Sequence, residues 1–209
     1  MVSKTISRSS SLWRDAKKDN IMIQVVDNFI PLSLQVEIKT LFLSNMFPWF
    51  YVEDITSKDT LPENKAPALS STLRVNSTTQ NNFYNYVLPL AHLGASLANY
   101  KFNDVTNCRA FLQLPLSKVK PVDPLHVDSG FDHLVVLYYV LDSDGDTIIV
   151  DKKFELDTEP LINLRAENFN ILQRVTPKQG RVVIFDGRYY HTAEQPKNTT
   201  RCVINFNVI

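Results

Sequence analysis

The chain has 209 residues, of which 44% are apolar, and its 22 basic side chains are balanced by 22 acidic ones. That length is enough for one domain with a sizeable core. The balanced charge excludes a strong overall field that would draw the protein to nucleic acid or to an acidic membrane surface.

The first half of the chain predicts a flexible arm followed by helical elements. Residues 1–20 are rich in Ser, Lys and Arg, and we expect them to form an arm outside a single domain at 21–209. A strand is predicted at 21–29, and helical support follows over 31–100. That support begins with a helix that opens at Pro31 and Ser33 and has Leu34, Ile38, Leu41 and Phe42 on one face, followed by an aromatic strand at 47–51. A Pro-, Ser-, Thr- and Asn-rich connection at 57–80, either a lid or partly ordered, then leads to a helix at 82–100 that is interrupted or kinked near Pro89.

From Asn107 onward the pattern changes to short strands, which we expect to build a core over 106–209. The predicted strands are Cys108 to Leu114, a segment around His126, Leu134 to Leu141, Thr147 to Val150, Ile171 to Val175, Val182 to Phe185 and Cys202 to Val208. Many short strands separated by turns predict a sandwich or a jelly roll. The fold class is therefore mainly β, with the two helices packed across one sheet.

The segment His126-Val127-Asp128 carries a pattern typical of metal ligands. Side chains at i and i+2 of a strand point to the same face, so His126 and Asp128 can share one ion. His191 follows the buried strand that contains Val182 and is a candidate third ligand from a neighbouring strand. Two imidazoles and one carboxylate on one face of a metal form the triad of non-haem Fe(II) oxygenases.

Arg201 stands at the head of the last predicted strand, ten residues after His191. The following residues alternate, so Arg201, Val203, Asn205 and Asn207 share one face. Such an arginine is either solvated at the surface, beside Thr199 and Thr200, or directed into a cavity. In a cavity only an anion would justify the cost of desolvating the guanidinium. Its planar fork matches a carboxylate, which indicates a dicarboxylate co-substrate.

With these residues in place, the chain resembles the 2-oxoglutarate and Fe(II)-dependent oxygenases, in particular the prolyl-4-hydroxylase-like branch, which includes members carried by bacteriophages. The resemblance covers the region from about Asn107 to the C-terminus well and the first half only in layout. Its matching elements are His126-x-Asp128, Tyr138-Tyr139, the turn Asp144-Gly145-Asp146-Thr147, the strand before His191, and Arg201. The resemblance implies a double-stranded β-helix.

The resemblance also implies an activity. Fe(II) would be held by His126, Asp128 and His191, with 2-oxoglutarate as co-substrate and O₂ as oxidant, and the enzyme would hydroxylate a C–H bond with release of succinate and CO₂. The distal carboxylate of 2-oxoglutarate would meet Arg201 and, of the two adjacent tyrosines, Tyr139. Pattern alone does not choose between Tyr138 and Tyr139.

The roles of three further residues on one predicted strand are not decided by the sequence. Arg109, Phe111 and Gln113 share one face of a predicted strand, and Arg109 and Gln113 are candidates for co-substrate binding. Simple cross-strand packing at the sheet surface explains them equally well.

The resemblance to prolyl hydroxylases implies a peptide or protein residue as substrate, with 57–80 and 151–170 as segments that could close over it. A small molecule is an alternative, nucleic acid is disfavoured because no basic stripe with interleaved aromatics is evident, and no membrane partner is expected. Two rival functions also fit the same residues: a jelly-roll binding module without chemistry, and a zinc hydrolase using the same His/Asp/His set.

The remaining polar residues receive structural interpretations. His133 is expected to line the entrance, and His92 to be a helix histidine remote from the metal. Asp142-x-Asp144-Gly145-Asp146 lacks the Gly and Glu spacing of a calcium loop and predicts a hairpin turn. Cys108 and Cys202 fit buried thiols. With no h-region or long apolar run, the protein is expected to be soluble and cytoplasmic; the sequence does not predict an oligomeric state.

Overall fold

The computed structural model describes residues 23–55, 66–116, 124–156 and 164–209. The predicted N-terminal arm at 1–20 lies outside them. The described residues form two α-helices and eleven strands: β1 Ile23–Val26, α1 Leu32–Phe42, β2 Phe50–Val52, β3 Ala68–Val75, β4 Thr78–Thr79, α2 Phe83–Leu97, β5 Val105–Gln113, β6 Leu134–Tyr139, β7 Thr147–Lys153, β8 Ile171–Val175, β9 Val182–Asp186, β10 Tyr189–Ala193 and β11 Arg201–Val208.

The strands form two antiparallel sheets. The large sheet has the order β1-β9-β6-β11-β5-β3-β2, with β4 paired to β3, and the small sheet has the order β10-β7-β8. Side chains on alternate positions of β6 separate two cores. Val136 and Tyr138 pack towards the helices, whereas Val135, Leu137 and Tyr139 pack between the sheets. The predicted fold class, a mainly β jelly roll with helices on one sheet, is confirmed.

Helix α2 lies on the outer face of the large sheet because its apolar side meets β6, β11 and β3. A Cβ at Gly94 would stand 2.7 Å from both methyl groups of Val136, so only glycine permits this close approach. Of the interruption or kink that we predicted near Pro89, the interruption is wrong, because the helix continues through Pro89 as one element.

Helix α1 differs from its predicted face in one position. Ile38 and Phe42 are buried as expected, but Leu34 is 44% exposed. Gln35 is buried instead, and its amide donates a hydrogen bond of 2.8 Å to the Ile30 carbonyl.

Two predictions about connections are wrong. The stretch 66–80 is not an irregular connection, because it forms β3 and β4, and the support region 31–100 therefore adds strands to the large sheet. The turn containing Asp144 is not a hairpin, because β6 and β7 belong to different sheets. His191 follows β9, as expected, and lies within a further strand, β10, that the sequence did not predict.

Both cysteines are fully buried free thiols, Cys108 on β5 and Cys202 on β11. Burial raises the pKa of each well above its ordinary value, and that of Cys202 to about 12. Within the described residues, no helix is long and apolar enough to cross a bilayer.

Candidate metal centre

His126 and His191 are held side by side by backbone pairing. The backbone N–H of each donates a 3.0 Å hydrogen bond to the carbonyl of the other. Their ring centroids are 4.6 Å apart. Nδ1 of His191 lies 3.0 Å from the Tyr189 carbonyl, and Nδ1 of His126 lies 3.3 Å from the Pro124 carbonyl. A proton on each Nδ1 leaves Nε2 as a lone-pair donor, as in metal-ligating histidines.

Asp128 is oriented by two amides from β11. The side-chain nitrogens of Asn205 and Asn207 donate hydrogen bonds of 2.9 and 2.8 Å to its Oδ2. The other oxygen, Oδ1, lies 3.8 Å from Nε2 of both histidines. One oxygen is thus fixed by the sheet, while the other faces the imidazoles.

The three side chains fit a metal ion in donor type and position. One ligand atom from each lies within 4.8 Å of the others. Bonds from imidazole and carboxylate to an ion such as Zn²⁺ are about 2.0–2.2 Å, so a point at the centre of this triangle needs only small side-chain rotations to be reached by all three. His126, whose side chain is 39% exposed against 9% for His191, has the most room to rotate.

The electrostatics keep Asp128 and His191 in metal-binding protonation states. Burial is the largest influence on the pKa of Asp128 and opposes ionisation, yet the neighbouring imidazoles and the Asn205 amide outweigh it, so the pKa lies well below its ordinary value. Burial, with the adjacent His126 charge, lowers the pKa of His191 to about 4. A carboxylate and a neutral imidazole are the forms that ligate.

Arg201 lies in the same cavity and is fixed by three uncharged acceptors. Its guanidinium donates to the Gly145 carbonyl at 3.0 Å, to Gln113 Oε1 at 2.8 Å and to Thr147 Oγ1 at 3.0 Å. The residue is 4% exposed. A Cβ at Gly145 would lie 2.6 Å from the Glu194 carbonyl and 3.2 Å from Arg201 Cδ, so glycine is needed where this turn meets the arginine.

The Asp144 turn supports this arrangement. The Asp144 carboxylate accepts hydrogen bonds from the Asn198 backbone N–H at 2.9 Å, the Asn198 side chain at 2.7 Å and the Thr199 hydroxyl at 2.9 Å. It therefore ties the β6–β7 connection to the segment that leads into β11, which places the Gly145 carbonyl beside Arg201.

Tyr139 faces the space between the sheets, but its hydroxyl is not part of the cavity wall. It donates a 2.8 Å hydrogen bond to Thr147 Oγ1, the atom that also accepts from Arg201. Thr147 lines the cavity. Thr147 was not predicted as part of the site, because a threonine at the start of a strand carries no distinctive pattern.

The cavity has a volume of about 250 Å³ and contains the triad, Arg201, Arg109 and Gln113 in its wall. Gln113 is buried and accepts a hydrogen bond from Arg201, whereas Arg109 is exposed. The apolar part of the cavity wall includes Val135, Leu137, Phe185, Val203, Phe111 and Ile55.

Two further histidines lie elsewhere. His133, predicted at the entrance, is fully buried, and its Nδ1 lies 2.7 Å from the Phe131 carbonyl; it is not part of the cavity wall. Close packing against Gly187 at the start of the β9–β10 connection explains that burial. His92 stacks on Phe102 at 3.8 Å, away from the cavity, as expected.

Comparison with solved structures identifies the architecture. The fold is that of the 2-oxoglutarate and Fe(II)-dependent oxygenases. An oxygenase of this family from Burkholderia pseudomallei aligns with 89% of the chain and 84% of its own length, at a TM-score of 0.61 and 12% identity. The epimerase SnoN, solved with Fe³⁺, α-ketoglutarate and nogalamycin RO, aligns with 90% of the chain and 79% of its own length, at 0.61 and 13%.

A prolyl hydroxylase from Trichoplax adhaerens, solved with a peptide of hypoxia inducible factor, aligns with 90% of the chain and 83% of its own length, at a TM-score of 0.58 and 13% identity. Identities this low establish a shared fold and no more. No protein-family model matches the chain, and the search of curated proteins finds no significant match.

Proposed function

We propose that the protein is an Fe(II)- and 2-oxoglutarate-dependent dioxygenase that hydroxylates a C–H bond. The observation that supports this best is the position of Arg201 in the cavity that also contains the His126, Asp128 and His191 side chains. A metal site alone fits many functions, but a metal site that shares a narrow cavity with a buried guanidinium suits a chelating dicarboxylate.

The protein's own residues hold and orient the reactants. His126, Asp128 and His191 would hold Fe(II), and Asn205 and Asn207 fix one oxygen of Asp128 so that the other faces the two imidazoles. When bound, Fe(II) supplies the oxidative chemistry, in which O₂ is consumed, 2-oxoglutarate becomes succinate and CO₂, and one oxygen atom enters the substrate C–H bond. The apolar wall excludes water from this region.

Arg201 and Thr147 together anchor the distal carboxylate of 2-oxoglutarate. A hydroxyl group has two acceptor lone pairs and one proton to donate. Both lone pairs of Thr147 accept, from Tyr139 and Arg201, so its proton is directed to a third group. A carboxylate in the cavity is the acceptor. In this proposal Tyr139 acts through Thr147 instead of touching the acid, and Gln113 positions the guanidinium.

The spacing along β11 suits the co-substrate. Arg201 and Asn205 are four residues apart, which is about 13 Å of extended strand, and their side chains share the cavity face with Val203 between them. The arginine side chain bridges part of that distance. A five-carbon diacid then spans the remainder, with one end at the metal ligands and the other at the guanidinium.

For the prime substrate, the proposal includes two classes. One structural neighbour was solved with a peptide and another with a small natural product, so a peptide or protein residue and a small molecule are both within reach of this fold. The prolyl-hydroxylase-like branch and its bacteriophage members remain a prediction from sequence resemblance. Nucleic acid stays disfavoured because the chain has no net charge.

A zinc hydrolase built on the same triad is the second candidate. Such an enzyme would use the three ligands and a metal-bound water, but its reaction would not require Arg201 and Thr147. A jelly-roll binding module would use neither a metal nor a diacid. Both rivals therefore leave the buried arginine unexplained.

Succinate formation in air tests the proposal. Purified protein with Fe(II), 2-oxoglutarate and a panel of peptides and metabolites should produce succinate only when iron, 2-oxoglutarate and O₂ are all present, with loss of the product in His191→Ala. Turnover that needs Zn²⁺ and proceeds without O₂ would favour the hydrolase. Protein that binds neither iron nor 2-oxoglutarate would favour the binding module.

A further inference from the structure

Arg109 is a second cation in the cavity wall, and it lies at the other end from Arg201. In the strand register Arg109 is opposite Asn205, which holds Asp128, whereas Gln113 is opposite Arg201. Directly opposed residues have Cβ atoms about 4.5–5.5 Å apart. Four residues of β5, about 13 Å of strand, separate Arg109 from Gln113. Arg109 therefore belongs to the metal end of the cavity and not to the co-substrate anchor.

Thr72 of β3 stands directly opposite Arg109 on the other side of β5. Both side chains face the small sheet, because the next residue along each strand, Leu73 on β3 and Ala110 on β5, packs towards the helices. Among the described residues, neither the Arg109 guanidinium nor the Thr72 hydroxyl has a hydrogen-bond partner, and Arg109 forms no ion pair. The Arg109 guanidinium and the Thr72 hydroxyl therefore form a patch with one positive charge and one hydroxyl group beside the opening of the cavity.

Charge balance gives this patch a role once the site is loaded. The two positive charges of Fe(II) and that of Arg201 are balanced by Asp128 and the two carboxylates of 2-oxoglutarate. His126 and His191 are neutral as ligands. Arg109 is then the remaining charge among the described lining residues. A cleft with one uncompensated cation attracts a substrate with the opposite charge.

Resting on the function proposed above, we propose that Arg109 and Thr72 bind an acidic group of the prime substrate and so select for a carboxylate next to the C–H bond that is oxidised. The guanidinium fork matches a carboxylate in bidentate fashion, and the Thr72 hydroxyl supplies a further donor. Arg109 is a specificity-determining residue under this proposal, and it is not needed to bind 2-oxoglutarate.

The test compares acids with their amides in binding. Anaerobic protein loaded with Fe(II) and 2-oxoglutarate is titrated with N-acetyl derivatives of the standard amino acids, each as free acid and as carboxamide. Binding is followed by the visible absorption of the complex and by the thermal denaturation midpoint. In the wild type we expect some acids to bind at least about tenfold more tightly than their amides.

In Arg109→Gln this preference should disappear, with acid affinity falling about 10- to 100-fold and affinity for 2-oxoglutarate unchanged. Arg109→Lys should retain part of the preference. Arg165→Gln removes an exposed arginine outside the cavity and should change nothing. Because Arg109 is exposed, Arg109→Gln should fold normally, and its denaturation midpoint without ligand checks this.

The proposal is overturned if no acid is preferred over its amide, if the preference survives in Arg109→Gln, or if that variant loses 2-oxoglutarate affinity instead. Failure of the function itself has a different signature. In that case 2-oxoglutarate would produce no iron-dependent absorption band in the wild type, before any acid is added.

Discussion

The two ends of the cavity are built to different degrees of completeness. At the anchor end, Arg201, Gln113 and Thr147 are all at most 4% exposed and are already joined by hydrogen bonds. At the metal end, the His126 side chain is 39% exposed and comes from an isolated bridge outside the regular strands. The anchor is preorganised by the fold, whereas the metal end has one ligand that can move.

Because of this difference, residues at the two ends should contribute to different properties of the protein. Organisation present before binding lowers the entropy cost of binding, so residues of the anchor should act mainly on affinity for the diacid and on stability. At the metal end the ion itself completes the order, and mutations there should act mainly on metal affinity. The predictions below test this division, beginning with the largest effect.

Replacement of His191 by alanine should have the largest consequence. His191→Ala removes one of three ligands, and we expect Fe(II) affinity to fall by more than about 100-fold, since loss of an outer-shell partner alone costs 10- to 100-fold. Equilibrium dialysis of anaerobic protein measures this. His92→Ala, at the histidine stacked on Phe102, is the matched control and should keep wild-type affinity. Retained iron binding in His191→Ala would remove this residue from the centre.

Loss of the anchor cation should act on the other end. In Arg201→Gln we expect affinity for 2-oxoglutarate to fall about 100-fold, because a bidentate charge-assisted contact is lost, while Fe(II) affinity stays within about threefold. The free energy of unfolding should also fall by about 1–3 kcal/mol, because buried acceptors lose their donor. Calorimetric titration and chemical denaturation measure the two effects.

Arg174→Gln serves as the control for Arg201→Gln, because Arg174 pairs with Glu194 at the surface and does not line the cavity. If Arg201→Gln weakened iron as much as 2-oxoglutarate, the division between the two ends would be wrong.

The two asparagines of β11 should show an intermediate effect at the metal end. Asn205→Ala and Asn207→Ala each remove one amide from Asp128 Oδ2, and we expect Fe(II) affinity to fall about 10-fold in each and further in the double variant. Binding of 2-oxoglutarate to the iron-saturated variants should change little. Unchanged metal affinity in the double variant would show that Asp128 needs no support from β11.

The smallest effect distinguishes the adjacent tyrosines. Tyr139→Phe removes the hydroxyl that donates to Thr147, so we expect a loss of about 1 kcal/mol in stability and a fewfold weaker affinity for 2-oxoglutarate. Tyr138→Phe is its control. The Tyr138 hydroxyl is buried with no hydrogen-bond partner among the described residues, so its removal should be neutral or stabilising. Equal behaviour of the two variants would argue against the anchor network.

The sequence predicted the central strands of the large sheet because they are continuous apolar runs. The segments now seen as β6 and β9 carry Val, Leu and Ile on both faces, since one face meets the helices and the other meets the small sheet. The candidate ligands were also visible, because His126-x-Asp128 is a local pattern. Their convergence with His191 depends on a backbone bridge between distant segments.

Strands with polar faces were missed. β3 contains Ser70, Ser71, Thr72 and Arg74, and a composition of this kind is typical of loops unless its alternation with Leu69 and Leu73 is given more weight. β10 was not among the predicted strands, because it is short and begins only two residues after Gly187. The Asp144 turn was taken for a hairpin because local sequence does not indicate that the next strand joins the other sheet.

Linkage between iron and 2-oxoglutarate tests the central claim most directly. Wild-type protein is titrated with 2-oxoglutarate under anaerobic conditions, with and without Fe(II), while visible absorption and the dissociation constant are recorded. If one cavity holds both Fe(II) and 2-oxoglutarate, the diacid should bind at least about tenfold more tightly when the metal is present, because one end of the diacid chelates the metal. A weak visible band should appear only when both are bound. Coupling between sites is reciprocal, so 2-oxoglutarate should tighten Fe(II) binding by the same factor. Equal affinity with and without Fe(II), and no band, would contradict the account.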